Sequence, residues 1–178
     1  MRIVSGKFKG RRFSPPKNLH ARPTTDIAKE SLFNILDNRV DFEAIHVLDM
    51  FAGTGSIGFE FASRGCRHVV SLEIDPVNHS FIQKIIKEMD MKDVITLIKC
   101  NSFHFLEKTK AKFDLIFADP PYDHKELKNL PDLIFTGKIL NPEGLLILEH
   151  SKNEDFTNHP HFLEKRKYGH VNFSFFQR

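Results

Sequence analysis

The feature that most constrains the fold is an alternation, from residue 45 to residue 149, of short apolar runs with segments of helical periodicity. The apolar runs predict strands near 45–49, 68–73, 94–98, 113–118 and 143–149, and the segments near 56–64, 76–89, 101–108 and 123–136 are predicted helices. Strands that alternate with helices form a parallel sheet with helices on both faces. Beyond residue 149, the segments 162–167 and 171–176 flank Tyr168-Gly169-His170 and predict a closing antiparallel hairpin. We therefore expect an α/β, Rossmann-like fold with a seven-stranded, mostly parallel sheet.

The N-terminal segment differs from the rest of the chain in charge. Its first 25 residues contain seven basic side chains and no acidic one, although the whole chain has a net charge of only +3. Such a basic segment is expected to contact a polyanion, because Lys and Arg displace counterions from phosphates; a solvated tail is the alternative. The runs 2–4 and 7–13 predict a small β-hairpin outside the core. We divide the chain into a basic arm, residues 1–23, and a main domain, residues 24–178, that starts with a helix capped by Thr24 or Thr25.

The composition limits the class of protein. The length of 178 residues suits one globular domain, and the basic start lacks the apolar core of a secretory signal. No apolar run approaches the ~18–20 residues that cross a bilayer, so we expect a cytoplasmic protein. Cys66 and Cys100 are too few for a disulfide scaffold, and the histidines show no metal-ligand spacing, so no metal site is predicted.

A glycine-rich turn follows the first predicted strand of the sheet. Asp49 ends the strand, and Gly53, Gly55 and Gly58 follow before and within the next helix. The glycines allow a tight turn and close packing of the helix on the sheet. Glu73 lies 20 residues beyond Gly53, at the position where dinucleotide-binding proteins keep the acid that binds the ribose. The pattern alone therefore fits more than one cofactor, and also a turn without any ligand.

Charge favours S-adenosyl-L-methionine over a dinucleotide. The Asp49 carboxylate would repel a pyrophosphate but attract an ammonium and a sulfonium group. Glu73 is predicted to accept hydrogen bonds from the ribose hydroxyls, with Ile74 beside the adenine, and Asn101 and Ser102 either bind the adenine edge or cap the next helix. The predicted cofactor-binding residues are Asp49, Phe51, Ala52, Gly53, Thr54, Gly55, Ser56, Glu73, Ile74, Asn101, Ser102 and Asp119.

A second motif, Asp119-Pro120-Pro121-Tyr122, follows the fourth predicted strand. The carboxyl end of a strand is where ligands bind in open α/β sheets. The Asp119 carboxylate and the Pro120 carbonyl can each accept one hydrogen of an exocyclic amino group, which localises the nitrogen lone pair for methylation. The two prolines fix these acceptors in advance, and Tyr122 offers a flat face on which an extruded base can stack. These four residues are the predicted catalytic residues.

The chain resembles the RsmD-type methyltransferases of bacteria over nearly its whole length. Besides the two motifs above, the resemblance rests on Arg2-Ile3-Val4-Ser5-Gly6, Lys9-Gly10-Arg11, Arg22-Pro23-Thr24-Thr25-Asp26 and Glu30-Ser31-Leu32-Phe33-Asn34. It implies a class I S-adenosyl-L-methionine-dependent fold and methylation of the exocyclic N2 of one guanine in 16S ribosomal RNA, within an assembled or partly assembled small subunit. The RNA-facing residues would be Arg2, Lys7, Lys9, Arg11, Arg12, Arg22, Thr24 and Thr25. A single small domain is compatible with action as a monomer.

Two other functions fit parts of the sequence. The first is an amino-group methyltransferase that acts on DNA adenine or protein glutamine, because the Asp-Pro-Pro-Tyr motif defines the chemistry and not the substrate. The second is a non-catalytic RNA-binding module for assembly, with a cofactor site that no longer functions. Methyl transfer to ribosomal particles, DNA or protein would distinguish the first, and cofactor binding would distinguish the second.

Overall fold

The structure is a computed structural model that describes residues 1–15 and 25–178. In these residues, seven strands form one sheet in the order β3-β2-β1-β4-β5-β7-β6. The strands are β1 (His46–Asp49), β2 (His68–Leu72), β3 (Ile95–Ile98), β4 (Phe113–Ala118), β5 (Leu140–His150), β6 (Phe162–Tyr168) and β7 (Val171–Gln177). The first five strands pair in parallel, and β7 pairs antiparallel with both β5 and β6. The predicted parallel sheet with a terminal hairpin is confirmed.

Five α-helices lie in the described residues. They are α1 (Asp26–Leu36), α2 (Ser56–Ser63), α3 (Pro76–Glu88), α4 (Ser102–Lys108) and α5 (Leu130–Thr136). Thr25 caps α1, since its Oγ1 accepts a hydrogen bond from the Ala28 N–H at 3.2 Å. Within the part of the chain that the structure describes, no helix combines the length and the apolar composition that a membrane span requires.

The predicted helix over 123–136 is wrong in its first half. Residues 123–129 form turns, and α5 begins only at Leu130. Pro131 explains the late start, because proline lacks an N–H and its ring clashes with the preceding turn, so it fits only the first turn of a helix.

Helices cover both faces of the sheet. One face packs against α1, α2 and α3, where the buried side chains include Leu32, Phe33, Phe59 and Ile82. The other face packs against α5, through Leu130 and Ile134 among others. The carboxyl ends of the parallel strands remain uncovered between these layers.

The N-terminal loop, residues 1–13, packs against the domain. The predicted hairpin over 2–4 and 7–13 is reduced to a single antiparallel bridge between Arg2 and Arg12. Ile3 is only 1% exposed and belongs to the core cluster that also contains Leu32 and Phe33. The expectation that this segment lies outside the core is therefore wrong, because its one buried apolar side chain fills part of that core.

Candidate functional site

A cleft of about 550 Å³ lies at the carboxyl ends of the parallel strands. In the sheet, β1 is flanked by β2 and β4, and the strand order reverses between β1 and β4. This point of reversal is where open α/β sheets bind ligands. The predicted residues that line the cleft are Phe51, Ala52, Gly53, Thr54, Ser56, Glu73, Ile74, Asn101, Ser102, Asp119, Pro120, Pro121 and Tyr122.

Two predicted cofactor-binding residues lie beneath the cleft and do not line it. Gly55 is the N-cap of α2 and packs against the Phe59 ring. Asp49 is only 1% exposed, and neither of its carboxylate oxygens meets a described donor in good hydrogen-bond geometry, although the Gly58 backbone N–H lies close enough to stabilise the charge. Burial, together with the nearby charge of Glu73, raises the pKa of Asp49 to about 7, and the Gly58 backbone opposes this only in part. A buried carboxylate in this state gains from any cation that binds near it.

Glu73 lines the cleft and also shapes the glycine-rich turn. One of its carboxylate oxygens accepts a hydrogen bond from the Gly53 N–H and the other from the Asp75 N–H, both at 2.7 Å. The turn is also bound to β2 through the Ala52 N–H, which donates to the Leu72 carbonyl at 2.9 Å. Glu73 therefore connects the turn to the end of β2, and its two oxygens keep further acceptor capacity toward the cleft.

Asn101 and Ser102 both have structural partners. The Asn101 side chain caps α4, accepting from the His104 N–H at 3.1 Å, and the Ser102 hydroxyl donates to the Met50 carbonyl. Both residues also line the cleft. The helix-cap interpretation is confirmed for Asn101 only, and contact of either residue with an adenine stays a prediction.

The Asp119-Pro120-Pro121-Tyr122 motif follows β4 directly and forms part of the wall of the same cleft. Burial and the negative charges of Glu149 and Asp49 raise the pKa of Asp119 well above its usual range. The Tyr122 hydroxyl donates to a Glu149 carboxylate oxygen at 3.3 Å, while 43% of the tyrosine remains exposed. The wall thus combines hydrogen-bond acceptors with an accessible aromatic ring.

Several residues of the cleft are absent from the sequence-based predictions. Glu149 is the most important, and its signal is an acid at the end of the apolar strand β5. Phe103 and His124 stack with ring centroids 4.4 Å apart and an angle of 11° between the planes. Thr25 is predicted to face RNA, but it lines the cleft, because it caps α1 and the start of this helix lies at the cleft.

The basic side chains of the N-terminal loop mostly face solvent. Lys7, Lys9, Arg11 and Arg12 are exposed, whereas Arg2 is half-buried and lies 3.5 Å from the Glu30 carboxylate. The other two predicted RNA-facing residues, Arg22 and Thr24, lie outside the described residues. The predicted RNA contact of the arm stays a prediction.

The chain is similar to known proteins over most of its length. The protein family described as conserved hypothetical protein 95 matches residues 1–177. Ribosomal RNA small subunit methyltransferase D of Buchnera aphidicola subsp. Acyrthosiphon pisum is 34% identical over 153 residues, which cover 85% of this chain and 78% of that protein.

Solved structures agree with the fold. A hypothetical protein of Thermus thermophilus has a TM-score of 0.86 at 26% identity, covering 100% of this chain and 99% of that one. An RNA methyltransferase from Salinibacter ruber, solved with S-adenosyl-L-homocysteine, has a TM-score of 0.69 at 17% identity, covering 88% of this chain and 93% of that one. The second likeness concerns the fold alone.

Proposed function

Because the chain belongs to the RsmD family of small-subunit ribosomal RNA methyltransferases, we propose that it methylates the exocyclic N2 amino group of one guanine in 16S ribosomal RNA. The observation that carries the proposal is the position of Asp119-Pro120-Pro121-Tyr122 on the wall of the cleft that the glycine-rich turn also lines. A methyl donor and an amino acceptor can therefore meet in one cavity.

The residues of the cleft fit S-adenosyl-L-methionine. The buried Asp49 carboxylate favours a cationic ligand over an anionic one. Residues 51–54 and Ser56 would hold the amino-acid end, and Glu73 and Ile74 would hold the ribose and adenine. When bound, the cofactor supplies an electrophilic methyl group on a sulfonium centre.

The acceptor wall prepares the amino group for reaction. An exocyclic amino nitrogen is a poor nucleophile because its lone pair is delocalised into the ring. The Asp119 carboxylate and the Pro120 carbonyl each accept one amino hydrogen, which returns the lone pair to the nitrogen and directs it. Pro120 and Pro121 fix these acceptors before the base arrives, and the exposed face of Tyr122 stacks on the extruded base.

Asp119 is also suited to take the proton that methylation releases. Its pKa is raised by burial and by Glu149, so it holds a proton more readily than an ordinary carboxylate. Asp119 thus accepts a hydrogen bond before methyl transfer and the proton after it.

The substrate proposal includes the assembled or partly assembled small subunit in the cytoplasm, with the protein acting as a monomer. The exposed basic side chains of the N-terminal loop support contact with RNA phosphates. The guanine would be extruded into the cleft while this loop holds the neighbouring backbone.

Nucleoside mapping tests the proposal. Purified protein and S-adenosyl-L-methionine are incubated with small subunits from a strain that lacks the gene, and with DNA and protein substrates in parallel. New N2-methylguanine in 16S RNA is the expected result, and Asp119→Ala should abolish it while the protein stays folded. Label in DNA or protein alone would refute the RNA substrate, and absence of cofactor binding would favour a non-catalytic module.

A further inference from the structure

The N-terminal loop is docked on helix α2 by its backbone. The Val4 and Ser5 N–H groups donate to the two carboxylate oxygens of Glu60 at 2.8 and 3.0 Å. The Lys7 N–H donates to the Ser63 carbonyl at 2.7 Å, and the Phe8 N–H donates to the Ser63 hydroxyl oxygen at 3.0 Å. All eight residues of α2 are buried. The loop is thus part of the packing around the helix that follows the glycine-rich turn.

Lys29 of α1 connects the docked loop to the cleft. It is 0% exposed, an unusual state for a lysine, and its Nζ lies 4.0 Å from the Glu60 carboxylate. The same ammonium group donates to the Arg2 carbonyl of the loop and, at 3.1 Å, to the Ser56 hydroxyl oxygen. Ser56 lines the cleft, but Lys29 does not. One buried cation therefore has the loop on one side and a cleft residue on the other.

The contact with Lys29 determines what Ser56 can offer a ligand. A lysine ammonium is only a donor, so the Ser56 oxygen must be the acceptor in this hydrogen bond. The serine hydroxyl hydrogen then remains available to donate, and the cleft is where a ligand acceptor would meet it. Without Lys29, the hydroxyl could rotate and present its lone pairs instead.

We propose that Lys29 is a positioning residue for the methyl-donor cleft, which holds Ser56 as a donor toward the cofactor while the N-terminal loop is docked. Docking of this loop and binding of the cofactor are consequently coupled. The inference rests on the proposed function, since it takes the ligand of the cleft to be S-adenosyl-L-methionine or its product.

A double-mutant cycle tests whether Lys29 acts through Ser56. Calorimetry measures the affinity for S-adenosyl-L-homocysteine in the wild type, Lys29→Met, Ser56→Ala and the double variant, with thermal melting as the check of folding. Each single change should weaken binding about three- to tenfold, as for the loss of one hydrogen bond. The double variant should bind no more weakly than Ser56→Ala alone, because the two changes remove one interaction. Independent effects that multiply, or no effect of Lys29→Met, would overturn the proposal.

A pair of glycine variants tests the coupling without altering Lys29, should Lys29→Met fail to fold. A Cβ at Gly6 would lie 1.8 Å from the Ser63 carbonyl oxygen, so Gly6→Ala must lift the loop from α2. Gly10 has a similar positive φ, +86° against +78°, but a Cβ there would have no neighbour within 4 Å. Gly10→Ala is therefore a matched control that introduces backbone strain without the clash.

We expect Gly6→Ala to speed hydrogen exchange at the Val4 and Ser5 amides and to weaken S-adenosyl-L-homocysteine binding about three- to tenfold. Gly10→Ala should bind within about twofold of the wild type. Faster exchange in Gly6→Ala with unchanged affinity would overturn the coupling. If the wild type itself does not bind the ligand, the failure belongs to the proposed function, because the glycine pair then has no affinity to compare.

Discussion

At the scale of single residues, two buried carboxyl groups, one lining the cleft and one beneath it, have pKa values raised above the ordinary range. Burial is the main cause that raises the pKa of Asp49. The pKa of Asp119 is raised by burial and by the negative charges of Glu149 and Asp49. A carboxyl group whose pKa is raised in the folded state lowers the free energy of unfolding of the unliganded protein as the pH rises above the pKa of the unfolded state. This cost can be measured for each residue.

Asp49→Asn should stabilise the unliganded protein at pH 8. The folded-state pKa of Asp49, about 7, lies above its unfolded value near 4, so the wild type loses stability as the pH rises through this range. Asparagine has no charge to bury, and we expect the variant to melt at a higher temperature at pH 8, with the difference shrinking toward pH 5. Asp93→Asn, at an exposed carboxylate, is the control. Equal melting temperatures of Asp49→Asn and wild type at pH 8 would contradict the prediction that a buried charge on Asp49 destabilises the protein.

Glu149→Gln should change the pH dependence of methyl transfer. The negative charge of Glu149 helps to raise the pKa of Asp119, so its removal lowers that pKa. The acid limb of the profile of kcat/KM against pH is expected to move to lower pH, while glutamine still offers Tyr122 an oxygen acceptor. Glu143→Gln, on an exposed position of β5, should leave the profile in place. An unmoved acid limb in Glu149→Gln would mean that Asp119 is not the titrating group.

At the scale of the elements, the close approach of α2 to the sheet depends on a glycine. A Cβ at Gly58 would lie 2.8 Å from the Ser71 hydroxyl oxygen and 3.3 Å from an Asp49 carboxylate oxygen. Ser71 of β2 stands beside Asp49 of β1 in the sheet register. The helix can therefore lie directly over these two strands only if this position has no side chain.

Gly58→Ala is expected to lower the free energy of unfolding by about 1–3 kcal/mol, as for other overpacked sites. The better helix propensity of alanine, worth about 1 kcal/mol, opposes this loss in part. Ser71→Ala removes the nearest atom, so the double variant should recover part of the stability relative to Gly58→Ala. Urea denaturation of the four proteins measures both effects. A Gly58→Ala protein as stable as the wild type would mean that the helix shifts without cost.

The elements also show which patterns predict structure. The strands from β1 to β5 follow the apolar runs because both faces of a parallel sheet are buried. The helix over 123–136 was predicted too long because apolar spacing continues through residues that Pro131 excludes from the helix. The docking of the N-terminal loop leaves no periodic signal, since it consists of backbone N–H groups that meet Glu60 and Ser63.

At the scale of the whole molecule, the sequence predicts which residues meet at the cleft but not how deeply each of them is buried. Spacing along the chain indicates that Glu73 and Asp119 each follow a strand of the parallel sheet, which suffices to bring both to the same edge of the sheet. It does not show that Asp49 lies beneath the cleft while Ser56 lines it, because depth depends on how α2 packs. The sequence analysis does not predict Glu149, because its role depends on β5 lying next to β4. The residues of the two segments alone do not determine the order of the strands in the sheet.

The distribution of charge over the molecule leads to a prediction about RNA binding. Neutralising Lys7, Lys9, Arg11 and Arg12 should flatten the dependence of the binding constant on salt, by about 0.7 to 0.9 in logarithmic slope for each lost phosphate contact. Lys87, Lys92, Lys108 and Lys112, also exposed, form a control set with the same change in net charge. Filter binding to 16S RNA fragments between about 50 and 200 mM salt measures the slopes. Equal slopes for both variants would show that the loop does not contact phosphates.

The docked loop also bears on the order in which the chain folds during synthesis. Its partners Glu60 and Ser63 lie 55 or more positions later in the chain, so the loop cannot dock until α2 has been synthesised. The central strand β1 waits as well, because its neighbour β4 follows only after β3 and α4. Contacts at such separations close slowly. The nascent chain therefore leaves its most basic segment undocked while it is still attached to a ribosome, beside the class of RNA that the finished protein is proposed to modify.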